Sequence, residues 1–475
     1  MGNPAYAVGF ETLAREIALD DIPVRGALPP LLSGTLVRVA PSKFEVGPDR
    51  YRHWFDGLAM LHRFGFGGGR VSYASAFLKS KSFDEAQAQG RISRPEFATD
   101  PCRSIFGRIC STFFPRRTDN ANVNVARWGE RYVALTETPL PIGFDRETLS
   151  TLGPLRLDPQ LNGQISTAHP HFDFARRRLF SYQVKLGRTS RYLFFTADAG
   201  APQGRLLGSV ETDRPAYLHS FGMTERYLVL VEFPLVVSPL RLRFNDLTGI
   251  PFIQNYRWRP ERGTRIRIVD KNDGRLAAEA ETDACFAFHH VNAFERDGEV
   301  VVDIVIHDDA SVIDRFYLER VRNGPAEATG RLRRFRIPLG GGRAVVEPLS
   351  DEPIELPRIH YRAHQGRAYR FVYGGGCRTP GNFFDQLLKF DWETSTTRTW
   401  FEEGCYPGEP VFVAAPGGTR EDEGAILSVV LDSRSGRSFL LVLDAETFDE
   451  RARAEVPHHI PFGFHGQFFG ADEPG

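Results

Sequence analysis

Short runs of β-branched and aromatic residues recur along the chain, each ended by glycine, proline, aspartate or asparagine. Such runs, bounded by turn formers, read as strands. The clearest are 34–39, 131–137, 191–197, 226–237, 265–269, 299–307, 331–338, 368–373, 424–431 and 438–443, many of them spaced as hairpins. The triple-glycine steps at 67–69, 340–342 and 374–376 look like the turns of such hairpins. Long helical periodicity is nearly absent. No Ser/Gly-rich or Pro-rich run separates two halves, so residues 1–475 read as a single domain. Many short antiparallel strands in one linker-free chain predict an all-β fold with a large closed architecture, best fitted by a β-propeller. No repeated motif shows how many blades it has.

Two segments break the pattern. Residues 100–117 read DPCRSIFGRICSTFFPRR. As a helix, this segment places Ile105, Phe106, Ile109 and Phe113 along one side with arginines nearby. That is the pattern of a helix lying in a lipid surface, and equally of one packed on its own core. The second segment, 233–252, is rich in apolar residues but interrupted by prolines. It reads as a buried connection or as the apolar rim of a cavity mouth.

Composition narrows the function. Apolar residues are 41% and charged residues 25%, ordinary for a globular protein. A formal net charge of −1 offers no basic field for nucleic acid, so no nucleic-acid partner is expected. No stretch of about 18 apolar residues is present to span a membrane, and residues 1–16 lack the pattern of a signal peptide. Five cysteines with no C-x-x-C pair suit a reducing cytoplasm. Phenylalanine is heavily used, at 38 residues. That excess fits a Phe-rich core or an aromatic-lined cavity.

Thirteen histidines are present, and most, among them His62, His307 and His364, have nothing around them to set them apart. Four lie among apolar or small residues at what reads as a strand or turn edge: His169, His219, His289 and His465. A buried imidazole must be hydrogen-bonded or bound to a metal, and any one of the four taken alone is more often a satisfied core residue. Their separations of 50, 70 and 176 residues match no local zinc motif. They can meet only if the fold brings distant strands to one point, as the inner strands of a propeller do. Glu137, Glu355 and Glu409 also sit at apolar strand edges. Carboxylates there could take the second N–H of metal-bound histidines, although a glutamate beside a turn proline is commonly just a surface residue.

The chain resembles the carotenoid cleavage oxygenase family from about residue 34 to 468. The resemblance is carried by Arg52-His53-Trp54-Phe55-Asp56-Gly57, Thr118-Asp119-Asn120, Asn122-Val123-Asn124-Val125, Thr136-Glu137-Thr138, Ala168-His169-Pro170-His171, His219-Ser220-Phe221-Gly222, Phe288-His289-His290-Val291-Asn292, Glu355-Leu356-Pro357-Arg358, Glu409-Pro410-Val411, Glu421-Asp422-Glu423-Gly424 and His465-Gly466. The block Asp100-Pro101-Cys102-Arg103-Ser104-Ile105-Phe106 is similar to the animal-type branch of β-carotene oxygenases and retinoid isomerohydrolases, in what looks like a bacterial member.

That resemblance implies a seven-bladed β-propeller, capped by loops and short helices over an axial iron(II), Fe2+. It implies His169, His219, His289 and His465 as the metal ligands, with His289 rather than His290 in that role. Glu137, Glu355 and Glu409 would stand behind three of them, and Val123 would approach the open side of the metal. The implied reaction is cleavage of one C=C bond of a carotenoid or apocarotenoid by dioxygen, at the 15,15′ bond to give retinal. A cytoplasmic protein held to the membrane surface through 100–117 is implied as well. A redox-neutral isomerohydrolase, a stilbene-cleaving oxygenase and a non-enzymatic binding scaffold are the alternatives.

Overall fold

In the computed structural model, residues 3–101, 117–242 and 249–471 are described. They form mostly short strands whose burial follows from the residue pattern. Arg70–Phe77 buries Val71, Tyr73, Ser75 and Phe77 while the alternate residues are partly exposed, the period of two of a strand covered on one face. Tyr227–Glu232 and Gln386–Asp391 are buried at every position, as strands covered on both faces are.

Among the described residues these strands make six larger sheets. Neighbours are antiparallel, apart from a short parallel contact between Leu276–Thr282 and Gly342–Arg343. One sheet has seven strands and turns on Val345–Arg358. The first part of that long strand pairs with Gly330–Pro338 and its last part with Phe371–Gly376. The two ends of the chain are stitched together twice. Val24–Gly26 pairs with Glu450–Glu455, and Gly466–Gly470 pairs with Gly34–Lys43. Sheets from the start and end of the sequence are therefore continuous with one another.

Several expectations need correction. Residues 67–69 do make a hairpin turn, with Gly68 and Gly69 at φ 58° and 73°. Residues 374–376, by contrast, lie inside the buried strand Phe371–Gly376. Their glycines allow close packing: a Cβ on Gly374 would stand 2.5 Å from Ile354 Cγ1, and one on Gly376 would stand 2.9 Å from Leu388 Cδ2. The run 226–237 is not one strand, because Pro234 separates Tyr227–Glu232 from Leu235–Val236, which pairs elsewhere. The helix Lys81–Gln89 was not foreseen. It has no broad apolar stripe, but Ser80 caps its start by accepting the Phe83 N–H and Gly90 ends it in the left-handed region.

Residues 102–116, most of the arginine-flanked segment, lie outside the described residues. In the 233–252 segment, Phe233, Leu235, Val236 and Val237 are buried while Leu240 is 74% exposed, and 243–248 lie outside the described residues. No helix among the described residues is long and apolar enough to cross a membrane.

Candidate metal centre

Four edge strands from four different sheets begin just after one of the histidines singled out above. His169 precedes His171–Asp173, His219 precedes Gly222–Met223, His289 precedes His290–Arg296 and His465 precedes Gly466–Gly470. Each imidazole thus projects from the point where a loop enters its sheet. One ligating atom from each of the four lies within 4.8 Å of all the others.

The pairwise geometry shows what such a cluster can hold. The Nε2 atoms of His169 and His219 are 2.9 Å apart, and those of His289 and His465 are 3.2 Å apart. At His219, His289 and His465 the proton is on the other nitrogen. Nδ1–H donates to Glu137 at 2.7 Å, to Glu355 at 2.6 Å and to Glu409 at 2.7 Å respectively. His289 and His465 therefore face each other with bare Nε2 lone pairs, which repel unless a cation lies between them. A metal binding imidazole at about 2.1 Å puts two nitrogens about 3.0 Å apart at a right angle. The observed separations fit that arrangement. Four neutral imidazoles suit a divalent first-row metal.

Burial favours the neutral form of His169, His219 and His465. It lowers His465 to about 4 against the opposing pull of Glu409. It likewise lowers His219, opposed by Glu137, and drives His169 well down, aided by His465 and His219. Glu355 and Glu409 stay ionised despite burial. Burial raises Glu409, but Arg358, His465 and Arg38 outweigh it and hold the group at about 2. Glu355 is held well below the usual range because His289 and His307 outweigh its burial.

Local backbone features aim these groups. The ladder between Val345–Arg358 and Phe371–Gly376 shifts register between Glu355 and Arg358. Leu356 there adopts φ 51°, a left-handed conformation unusual for leucine, and its N–H donates to Glu355 Oε2 at 2.7 Å. The bulge turns Glu355 onto His289. Behind His465, the Trp54 indole N–H donates to the Phe462 carbonyl at 2.8 Å. Buried Arg38 donates to the carbonyls of Glu409 and Phe464 at 3.1 and 3.3 Å.

Side chains also lace one histidine segment to the next. Asn124 donates to the Ala168 carbonyl at 2.9 Å, Thr167 to the His219 carbonyl at 2.7 Å and Ser220 to the Phe288 carbonyl at 2.6 Å. Asn120 and Asn122 both bond the Gly57 carbonyl, tying the asparagine motif to the His53–Gly57 motif. The buried His53 is structural: its Nε2 bonds the Ile313 carbonyl at 2.9 Å.

The cluster opens into an apolar cavity. Its wall is Trp54, Phe55, Phe288, Phe316, Phe384 and Phe464, with Leu356, Ala328 and Val123. The phenylalanine excess therefore serves the core and a cavity lining at once. Phe464 packs at 4.4 Å from Trp54 and 5.1 Å from Phe55 between ring centroids. Such contacts contribute about 0.5–1.5 kcal/mol each beyond burial. Val123 lines the cavity beside His219, His289 and His465, so its isopropyl group borders the cluster.

All seven residues singled out from sequence, four histidines and three glutamates, thus meet in one place, and Val123 joins them. His171 and His290 point elsewhere: His171 bonds Tyr361 and the Phe221 carbonyl, and His290 bonds Ser220. Sequence reasoning passed over Tyr217, Arg358 and Arg38, which act on the carboxylates or their backbone. It also set His307 aside as unremarkable, yet its Nε2 lies 3.2 Å from Glu355 Oε1. Only the pairing of distant strands reveals these contacts.

Known proteins resemble this chain over nearly its whole length. Residues 10–470 match the retinal pigment epithelial membrane protein family, and the chain belongs to it. The mitochondrial carotenoid-cleaving dioxygenase of Mustela putorius furo is 35% identical, over 98% of this chain and 97% of that protein. The β,β-carotene 15,15′-dioxygenase of Homo sapiens is 32% identical, over 94% and 91%. The crystal structure of cobalt-substituted Synechocystis apocarotenoid oxygenase matches with a TM-score of 0.84 at 28% identity, over 98% of both chains.

Proposed function

We propose that the protein is an iron(II) dioxygenase that cleaves a C=C bond of a carotenoid or apocarotenoid into two carbonyl products. The observation that carries this reading is the set of converging Nε2 lone pairs, three of them fixed by Nδ1–H donation to carboxylates, at the end of an aromatic cavity. The relatives named carotenoid-cleaving and β,β-carotene 15,15′-dioxygenase support the substrate class.

His169, His219, His289 and His465 would hold the iron, which supplies the activation of dioxygen that an unpolarised alkene requires. Glu137, Glu355 and Glu409 orient three of the rings and offset charge that four neutral imidazoles leave uncancelled. Val123 keeps the cavity beside the histidines apolar. The aromatic walls exclude water and hold a polyene by dispersion, and their placement sets which double bond lies at the histidines. We assign the central 15,15′ bond, with retinal as product, by analogy with the human relative.

The fold reading extends in the same way: a single seven-bladed propeller domain. The long strand shared within the seven-stranded sheet supports counting that sheet as two blades, and the double stitching of the chain ends supports a closed ring. Association with a lipid surface through 100–117 rests on the Ile105, Phe106 and Ile109 stripe and its arginines.

Oxygen uptake and product chromatography with β-carotene and an apocarotenal test the function. Retinal formed with dioxygen consumption is expected. Isomerised product without oxygen uptake would replace the oxygenase reading by a redox-neutral one.

A further inference from the structure

Each of the three carboxylates has at least one further donor, and these donors differ from one carboxylate to the next. Glu137 Oε1 also accepts the Tyr217 hydroxyl at 2.9 Å. Glu409 accepts the Gly466 N–H at 2.9 Å and has the Arg358 guanidinium at 3.5 Å. Glu355 uses Oε2 for His289 and for the Leu356 N–H, while its Oε1 faces His307 Nε2 at 3.2 Å. Glu355 therefore bridges two imidazoles.

His307 is built into that place. Its side chain is 8% exposed. Its backbone exchanges two hydrogen bonds with Phe286, at 2.7 and 3.0 Å, just beyond Glu299–Ile306. The rings of Phe286 and Phe288 pack against it. Facing a carboxylate, Nε2 carries the proton, since the other tautomer would set a lone pair against Oε1.

We propose that His307 is a positioning residue of the metal centre, setting through Glu355 the orientation and charge that Glu355 presents to His289. The proposal rests on the iron reading above. An N–H donor on Oε1 draws charge from the carboxylate, so Glu355 pulls less on the His289 Nδ1–H. His289 then stays closer to a neutral imidazole and donates less to a metal, which favours iron(II) over iron(III). Without His307, Oε1 is left unpaired in a buried site. The carboxylate then pulls harder on His289, and the iron becomes easier to oxidise.

The test uses the full chain with His307→Phe, which fills the space between Phe286 and Phe288 without an N–H, and His307→Gln, which restores a donor. His307→Leu repeats the deletion with less bulk, should the phenylalanine variant fail to fold. The readouts are the iron midpoint potential, followed through the ferric resonance signal in a redox titration, and cobalt(II) affinity of the metal-free protein. The deletion is expected to lower the potential and to tighten cobalt binding, because a His289 more strongly polarised by Glu355 is the better donor to a metal. The glutamine variant should return both toward wild type. A deletion variant with wild-type potential and affinity, or a glutamine variant as altered as the phenylalanine one, overturns the proposal. Wild-type protein that binds neither metal overturns the iron reading itself, and this inference with it.

Discussion

His289 and His465 bring their Nε2 atoms to 3.2 Å across a sequence separation of 176 residues. His289 enters the seven-stranded sheet, whereas His465 enters the sheet that the last strand shares with Gly34–Lys43. Their meeting therefore depends on the seam that joins the two ends of the chain.

Glu355→Gln tests the carboxylates directly. The amide keeps the shape but loses the charge that holds the His289 Nδ1–H at 2.6 Å. Metal affinity and turnover should fall about 10–100-fold without vanishing. Wild-type values, measured by metal titration and steady-state kinetics, would remove Glu355 from the account.

Gly374→Ala probes the packing beneath that site. The new methyl would meet Ile354 Cγ1 at 2.5 Å and the Glu355 carbonyl at 3.0 Å. Overpacking of this kind costs about 1–3 kcal/mol, and here it presses on the bulge that aims Glu355. Chemical denaturation should show that loss, accompanied by weaker metal retention. An unchanged midpoint would show that the sheet absorbs the methyl.

Asp173 and Lys271 form a buried pair at 2.6 Å, with side chains 7% and 1% exposed. Replacing Asp173 by Asn strands the ammonium, and breaking a buried pair costs about 3–5 kcal/mol. Burial raises the Asp173 carboxyl, but Lys271 and Arg176 outweigh it and hold the group below its usual value. Its stabilisation is thus complete above the unfolded value of about 3.9 and fades as pH falls through the lower folded value. Stability of wild type and Asp173→Asn should differ most near neutral pH and converge in acid. A gap that widens on acidification would contradict the assignment.

Serine at Ile105, Phe106 and Ile109 together should release the protein from liposomes while leaving its iron content unchanged. Cosedimentation equal to wild type would rule the segment out as the anchor.

Much of this arrangement was legible in the sequence because local chemistry announced it. Strands showed in their β-branched runs, and the four histidines stood out by their apolar settings. What was hidden depended on approach between distant strands. Gly374–Gly376 reads as a turn until Ile354 and Leu388 are seen packed over it. His307 looks ordinary until the Glu355 bulge turns a carboxylate toward it. The helix Lys81–Gln89 carried its signal in Ser80 and Gly90, not in periodicity.

The central claim is that His169, His219, His289 and His465 hold one iron used for alkene cleavage. The most direct measurement is metal content of the purified protein beside that of His219→Ala, with both assayed on β-carotene. The account predicts about one iron per chain and retinal from wild type, and loss of most of the metal and product from the variant. Full metal retention in His219→Ala, or cleavage by protein stripped of iron, would contradict it.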